Sequence, residues 1–169
     1  SQFLREMLNE HKPKKIVEIG VNNSLSYDHS STFNFMEYLE KVDDCKYIGI
    51  DLQKSNIKQV AQENRELWSK NKISFVNTAN YDLILESIHK KLEGEVDFLL
   101  IDGWHSVNQV LKEWRIVNNL SSKGVVILHD TNNHPGPLNV LKAVDRSIFE
   151  VMEPYRGRYD DWGIAAAIL

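Results

Sequence analysis

An α/β fold is what this sequence predicts: a doubly wound, mostly parallel sheet with helices on both faces and an antiparallel last strand. Two observations carry the prediction. Short apolar runs alternate with segments whose apolar residues recur at helical spacing. The strand-like runs, Phe98-Leu99-Leu100-Ile101 above all, are apolar without interruption, as strands buried on both faces require.

The elements follow in order. Phe3, Leu4, Met7 and Leu8 line one face of an opening helix, which Pro13 stops. Lys15 to Gly20 reads as a buried strand closed by glycine. A polar stretch, 22–32, leads to a helix carrying Phe33, Phe35, Met36 and Leu39. Tyr47 to Asp51 is the second strand. Ile57, Val60, Ala61, Asn64, Leu67 and Trp68 share one helical stripe. Ile73 to Val76 is the third strand, and Leu83 to Leu92 the helix after it. Val96 to Asp102 is the strongest strand. Val107, Val110, Leu111, Trp114 and Val117 form the next stripe. Gly124 to Leu128 is the fifth strand, ending at His129-Asp130. Leu138, Leu141, Val144 and Ile148 mark a last helix, before two final strands near 149–152 and 163–169.

Length and composition narrow the class. A chain of 169 residues with 42% hydrophobic and 26% charged residues fits one domain, 1–169. Lys plus Arg number 20 against 24 Asp plus Glu, a net charge of -4. With no basic stripe interleaved with aromatics, that balance excludes a nucleic-acid clamp. The single cysteine, Cys45, excludes a disulfide framework and a cysteine-rich zinc module. No apolar run reaches the roughly 20 residues of a membrane helix. The first residues read as an amphipathic helix rather than a signal peptide, so a cytoplasmic setting and no membrane partner are expected.

In folds of this class, ligands bind beyond the carboxyl ends of the strands, at the switch in strand order. Those ends carry Glu18, Gly20, Asp51, Asp102, His105, His129 and Asp130. Gly20 lets backbone approach closely, as a nucleotide-type cofactor needs, but a plain strand-to-helix turn reads equally well there. Asp51 can accept from ribose hydroxyls, or simply face a helix N-terminus. Asn80, after the third strand, falls near the adenine in the cofactor reading. Asp102 and Asp130 are two oxygen ligands suited to Mg²⁺. The imidazole of His129 suits Mn²⁺, Fe²⁺ or Zn²⁺ better. His105 is placed to take a proton. The bland alternative has Asp102 and His105 capping the next helix and His129 packed under a loop. Trp68 and Trp114 read as core, His89 and the Lys12-Lys14-Lys15 run as surface. Cys45 lacks a paired base and is no nucleophile. Trp104 reads as a pocket wall or a lid anchor.

Val17-Glu18-Ile19-Gly20, Tyr47-Ile48-Gly49-Ile50-Asp51, Ile101-Asp102-Gly103-Trp104-His105 and Gly124-Val125-Val126-Ile127-Leu128-His129-Asp130 occur in that order. From Lys15 to Leu169 they resemble the class I S-adenosylmethionine-dependent methyltransferases, which have a Rossmann-like fold. The nearest subset is the metal-dependent sugar and macrolide O-methyltransferases, with the cephalosporin hydroxylase-like proteins nearby. The resemblance implies an O-methyltransferase acting on a hydroxyl of a sugar, glycan or glycosylated natural product. Glu18, Gly20, Asn22, Ser24, Asp51, Asn80 and Asp102 would bind S-adenosylmethionine. Asp102, His129 and Asp130 would hold a divalent metal, Mg²⁺ or Mn²⁺, with His129 in the place of a family acid. His105 and Asp102 would be the catalytic pair, His105 the general base. Ser24 stands where the family has a loop glycine. A homo-oligomer or a further domain is expected to close the site. Two other readings stay open: an inactive scaffold of this fold, and a different metal enzyme built on the same strand ends.

Overall fold

The computed structural model describes residues 1–22, 27–158 and 160–169. Five parallel strands form its centre: β1 (Lys15–Ile19), β2 (Lys46–Ile50), β3 (Ile73–Val76), β4 (Val96–Ile101) and β5 (Leu120–His129). β6 (Glu150–Met152) and β7 (Ile164–Ile168) complete a seven-stranded sheet in the order β3-β2-β1-β4-β5-β7-β6. β7 runs antiparallel to both β5 and β6, as expected of the last strand.

The sheet is wound on both faces because its strands alternate between two apolar layers. Ile16, Tyr47, Phe98, Leu100, Val125 and Ile127 face one layer. That layer is covered by α1 (Gln2–His11), α2 (Ser31–Lys41), α3 (Lys54–Glu63) and α4 (Arg65–Ser69). Val17, Ile19, Ile48, Leu99, Ile101, Val126 and Leu128 face the other, covered by α5 (Tyr81–Leu92), α6 (Val107–Trp114) and α7 (Pro135–Ala143). Ser1, Ser30, Asn80 and Ser106 cap α1, α2, α5 and α6, each accepting from a backbone N–H of the first turn.

Three expectations need correction. The stripe from Ile57 to Trp68 is two helices, broken at Asn64 (φ -119, ψ 45). The break turns Trp68 out of the core: it is 51% exposed and stacks on Phe75. The last helix ends at Ala143, since Val144 is extended and the Asp145 carboxylate accepts from Ser147 N–H in a turn, which leaves Ile148 exposed. β5 begins at Leu120 instead of Gly124, with an irregular register opposite Val96 and Phe98. Other readings hold. Trp114 packs on the second layer, His89 is exposed, and burial pushes the Cys45 thiol up to about 12. No helix among the described residues is long and apolar enough to cross a membrane.

Register brings the strand ends level. Ile19 pairs with Ile50 on one side and Ile101 on the other, and Ile101 pairs with Leu128. Gly20, Asp51, Asp102 and His129 therefore follow on one sheet edge, at the switch between β1 and β4. Gly20 has φ +93, and a Cβ there would lie 2.1 Å from the Asp102 carbonyl oxygen. Its N–H donates to Ile50 O while Asp102 N–H donates to Ile19 O. Glycine is thus required by the backbone of β4 itself. Gly20→Ala should destabilise the fold by about 3 kcal/mol, from the positive φ and the overlap together, as read by urea unfolding.

Candidate active site

Four side chains from two neighbouring strand ends converge. Asp102 leaves β4 and is 6% exposed; Asp130 follows β5 and is 8% exposed. His129 Nδ1 lies 2.9 Å from Asp130 Oδ1 and 3.2 Å from Asp102 Oδ1. His105 Nε2 lies 2.9 Å from Asp130 Oδ2 and 3.6 Å from Asp102 Oδ1. Adjacent strand residues normally point to opposite faces. His129 and Asp130 point to the same place because Asp130 takes a left-handed backbone, φ +60. Asp tolerates that region better than most residues.

The loop carrying His105 is pinned from both sides. Ser106, not Asp102 or His105, caps α6, so capping does not account for those two residues. The His105 carbonyl accepts from Gly136 N–H at the start of α7. A Cβ at Gly136 would sit 2.4 Å from that carbonyl oxygen. Glu113 lies beneath, buried beside Gly103, with Oε1 accepting from Gln109. Burial raises its carboxyl to about 7.

The electrostatics follow from this crowding. The Asp102 and Asp130 carboxylates hold His105 up to about 9. Burial works against charge on His129, but the same two carboxylates outweigh it and raise it to about 10. Burial likewise opposes charge on Asp130, and the two imidazoles overcome it, holding the carboxyl below its usual range. Yet His105 Nε2 and His129 Nδ1 are buried atoms without a directed hydrogen bond. Donor atoms of Asp102, His129 and Asp130 lie within 4.8 Å of one another, as a cation's ligands do. Separations of 2.9 and 3.2 Å match neighbouring ligands about 2.1 Å from an octahedral ion. The donor set therefore fits a divalent metal.

At the end of β1, Glu18 is fully buried. It accepts from Ser31 Oγ (2.6 Å), Thr32 Oγ1 (2.9 Å) and the Tyr47 hydroxyl. Asn22 has φ +53; its N–H donates to Thr32 Oγ1 and its Nδ2 to Gln59 Oε1. Asn22 Oδ1 is buried with no partner among the described residues, an acceptor suited to the ammonium of an amino-acid-bearing cofactor. Asp51 Oδ1 accepts from Gln53 N–H, and Asn80 Oδ1 from Asp82 N–H. Asp51 and Asn80 thus carry local turn bonds as well. Ser24 lies outside the described residues.

Some site features were missed in the sequence. His134 stacks on His105 (4.5 Å between centroids) and Trp162 stacks on His134 (6.0 Å), a three-ring column rising from the cluster. His134 with His105 and Asp130 forms a second group of close donor atoms. The position of His134 directly before Pro135, five residues after His129, was the available signal. Trp104, on the site loop, is 72% exposed.

Known proteins are similar to this chain in sequence pattern or in fold. The family model described as Rhamnosyl O-methyltransferase/CmcI matches residues 2–148. No curated protein matches the chain. A solved candidate caffeoyl-CoA O-methyltransferase from Staphylococcus aureus is 17% identical, with TM-score 0.66, over 99% of this chain and 81% of that one. The O-methyltransferase TomG from Streptomyces achromogenes, involved in tomaymycin synthesis and solved with S-adenosylmethionine, is 13% identical. Its TM-score is 0.68, over 99% of this chain and 78% of that one. At such identities these structures establish the shared fold.

Glu18 yields a test. Burial, only partly offset by the hydroxyls of Ser31, Tyr47 and Thr32, raises its carboxyl from 4.5 to about 8. Between those values the folded state holds a proton that the unfolded state has released. Its contribution is full below pH 4.5 and is lost as pH rises through about 8. Glu18→Gln should remove that loss. Urea unfolding from pH 4.5 to 8.5 should show the variant gaining on the native chain as pH rises.

Proposed function

The chain belongs to the Rhamnosyl O-methyltransferase/CmcI family, within the class I S-adenosylmethionine-dependent methyltransferases, and from that premise we propose a metal-dependent transfer of methyl to a sugar-type hydroxyl. The acceptor is a sugar, a glycan or a glycosylated natural product, a reading that the rhamnosyl in the family's description supports. Residues 1–169 act as one catalytic domain, with a second copy or a further domain closing the site. The observation that carries the proposal is the convergence of Asp102, His105, His129 and Asp130, which brings two buried imidazole nitrogens against two buried carboxylates.

Each residue has a part. Asp102, His129 and Asp130 would hold the divalent metal. Glu18, Gly20, Asn22, Asp51, Asn80 and Asp102 edge the cofactor site, with Ser24 assigned to it from sequence. Within it, Asn22 Oδ1 would accept from the cofactor's ammonium and Asp51 from its ribose. When bound, the cofactor supplies an electrophilic methyl on a sulfonium, and the metal supplies a Lewis acid that lowers the acceptor hydroxyl's pKa. His105 accepts the hydroxyl proton at Nε2, and the Asp130 carboxylate beside it stabilises the imidazolium that results. The stack on His134 and the bond from Gly136 to the His105 carbonyl hold the ring in the attack geometry. Exposed Trp104, on the loop between Asp102 and His105, would offer its ring face to a sugar.

The test is methyl transfer from S-adenosylmethionine to a panel of sugar hydroxyls, with metal added or chelated. His105→Ala should lower turnover by about 10²–10⁴ while leaving metal affinity nearly unchanged. Asp102→Asn should weaken metal binding, measured by calorimetry. Full activity in His105→Ala would remove His105 from the role of base.

A further inference from the structure

We infer that the strand-end site selects a first-row transition ion such as Mn²⁺ or Co²⁺ over Mg²⁺, with His129 Nδ1 as the selecting ligand. The inference rests on the metal-dependent reading above and specifies its cation.

The donor chemistry carries it. Mg²⁺ is a hard ion that takes oxygen ligands and gives up its water shell reluctantly. An imidazole nitrogen offers it little. The same nitrogen binds Mn²⁺, Fe²⁺, Co²⁺ and Zn²⁺ with rising strength. A site of carboxylates alone serves Mg²⁺; one imidazole among them shifts the balance toward the transition ions.

The structure shows that this nitrogen is built into the site. His129 Nδ1 is a buried atom facing two carboxylate oxygens, at 2.9 and 3.2 Å, with no directed hydrogen bond to either. The left-handed backbone at Asp130 is what turns the two neighbouring side chains onto one point. The Asp130 carboxylate is divided, Oδ2 toward His105 and Oδ1 toward His129. Its Oδ1 is thereby presented to the same space as Nδ1. Asp102 Oδ1 completes the triad on a strand end fixed by the main-chain bond to Ile19. The resulting set is one nitrogen and two carboxylate oxygens, with no further protein donor needed.

The experiment titrates Mg²⁺, Mn²⁺ and Co²⁺ separately into the chelator-stripped full chain by calorimetry, without cofactor or acceptor. Mn²⁺ and Co²⁺ should bind at least about tenfold more tightly than Mg²⁺. Pulsed electron paramagnetic resonance of the Mn²⁺ complex should show coupling to an imidazole ¹⁴N. His129→Asp, which leaves oxygen donors only, should abolish that coupling and narrow the Mn²⁺-to-Mg²⁺ ratio. Equal binding of Mg²⁺ and Mn²⁺, or no nitrogen coupling in the native chain, overturns the inference and leaves a metal-dependent enzyme standing. Coupling that survives in the variant overturns the assignment to His129. If none of the three ions binds the folded native chain, the imidazoles themselves balance the two carboxylates, and both readings fall.

Discussion

The main-chain crossing between Gly20 and Asp102 is the constraint on which the functional edge depends. β1 and β4 run in parallel to their last residues, and each hands its ladder on by one more bond. No side chain fits between them at Gly20. The same contact that packs the two central strands also sets the height at which Asp102 leaves the sheet. β5, in register with β4, then delivers His129 and Asp130 beside it. The site is positioned by strand ends, the stiffest part of a doubly wound sheet, and its loops add only His105, Trp104 and the ring column.

The cluster gathers two buried carboxylates and two partly exposed imidazoles. The two carboxylates favour the protonated imidazoles, so both rings are raised well above the ordinary histidine range. A cation entering there would have to displace those protons, so occupancy and protonation would compete for the same atoms. Glu18 shows the opposite solution a strand away. There burial disfavours the charge and raises the carboxyl to about 8, while three hydroxyl donors from the chain itself offset part of that cost. The acids at neighbouring strand ends are thus held in opposite ways, one facing two imidazoles and one ringed by hydroxyls.

Much of this was legible in sequence because it depends on patterns of period two and 3.6. The central strands announced themselves as apolar runs, and the polar residues after them stood out by contrast. Asp102, His105, His129 and Asp130 could be grouped from strand order before any coordinates. What could not be read depends on tertiary contact or backbone angle. Trp68 lies on the apolar stripe, yet one helix break at Asn64 sends it to the surface. The hydroxyls of Ser31, Thr32 and Tyr47 come to Glu18 from two other elements. His134 joins His105 by ring stacking, a contact no periodicity encodes. Gly20 was legible as a glycine needing close approach, but the partner in that approach is backbone of the chain itself.

Asp130 joins two demands that are usually met by different residues. Its backbone sits in the left-handed region, which Asn and Gly tolerate at least as well. Its carboxylate faces two imidazoles, a task that Glu could share if chain length were the only question. Asn meets the first demand and not the second; Glu meets the second but takes the left-handed backbone less readily, although Glu93 of this chain does so at φ +61. Asp is the residue that meets both at least cost. Drift there would pass through a chain that still folds but has lost an anion, or one that keeps the anion and strains its turn.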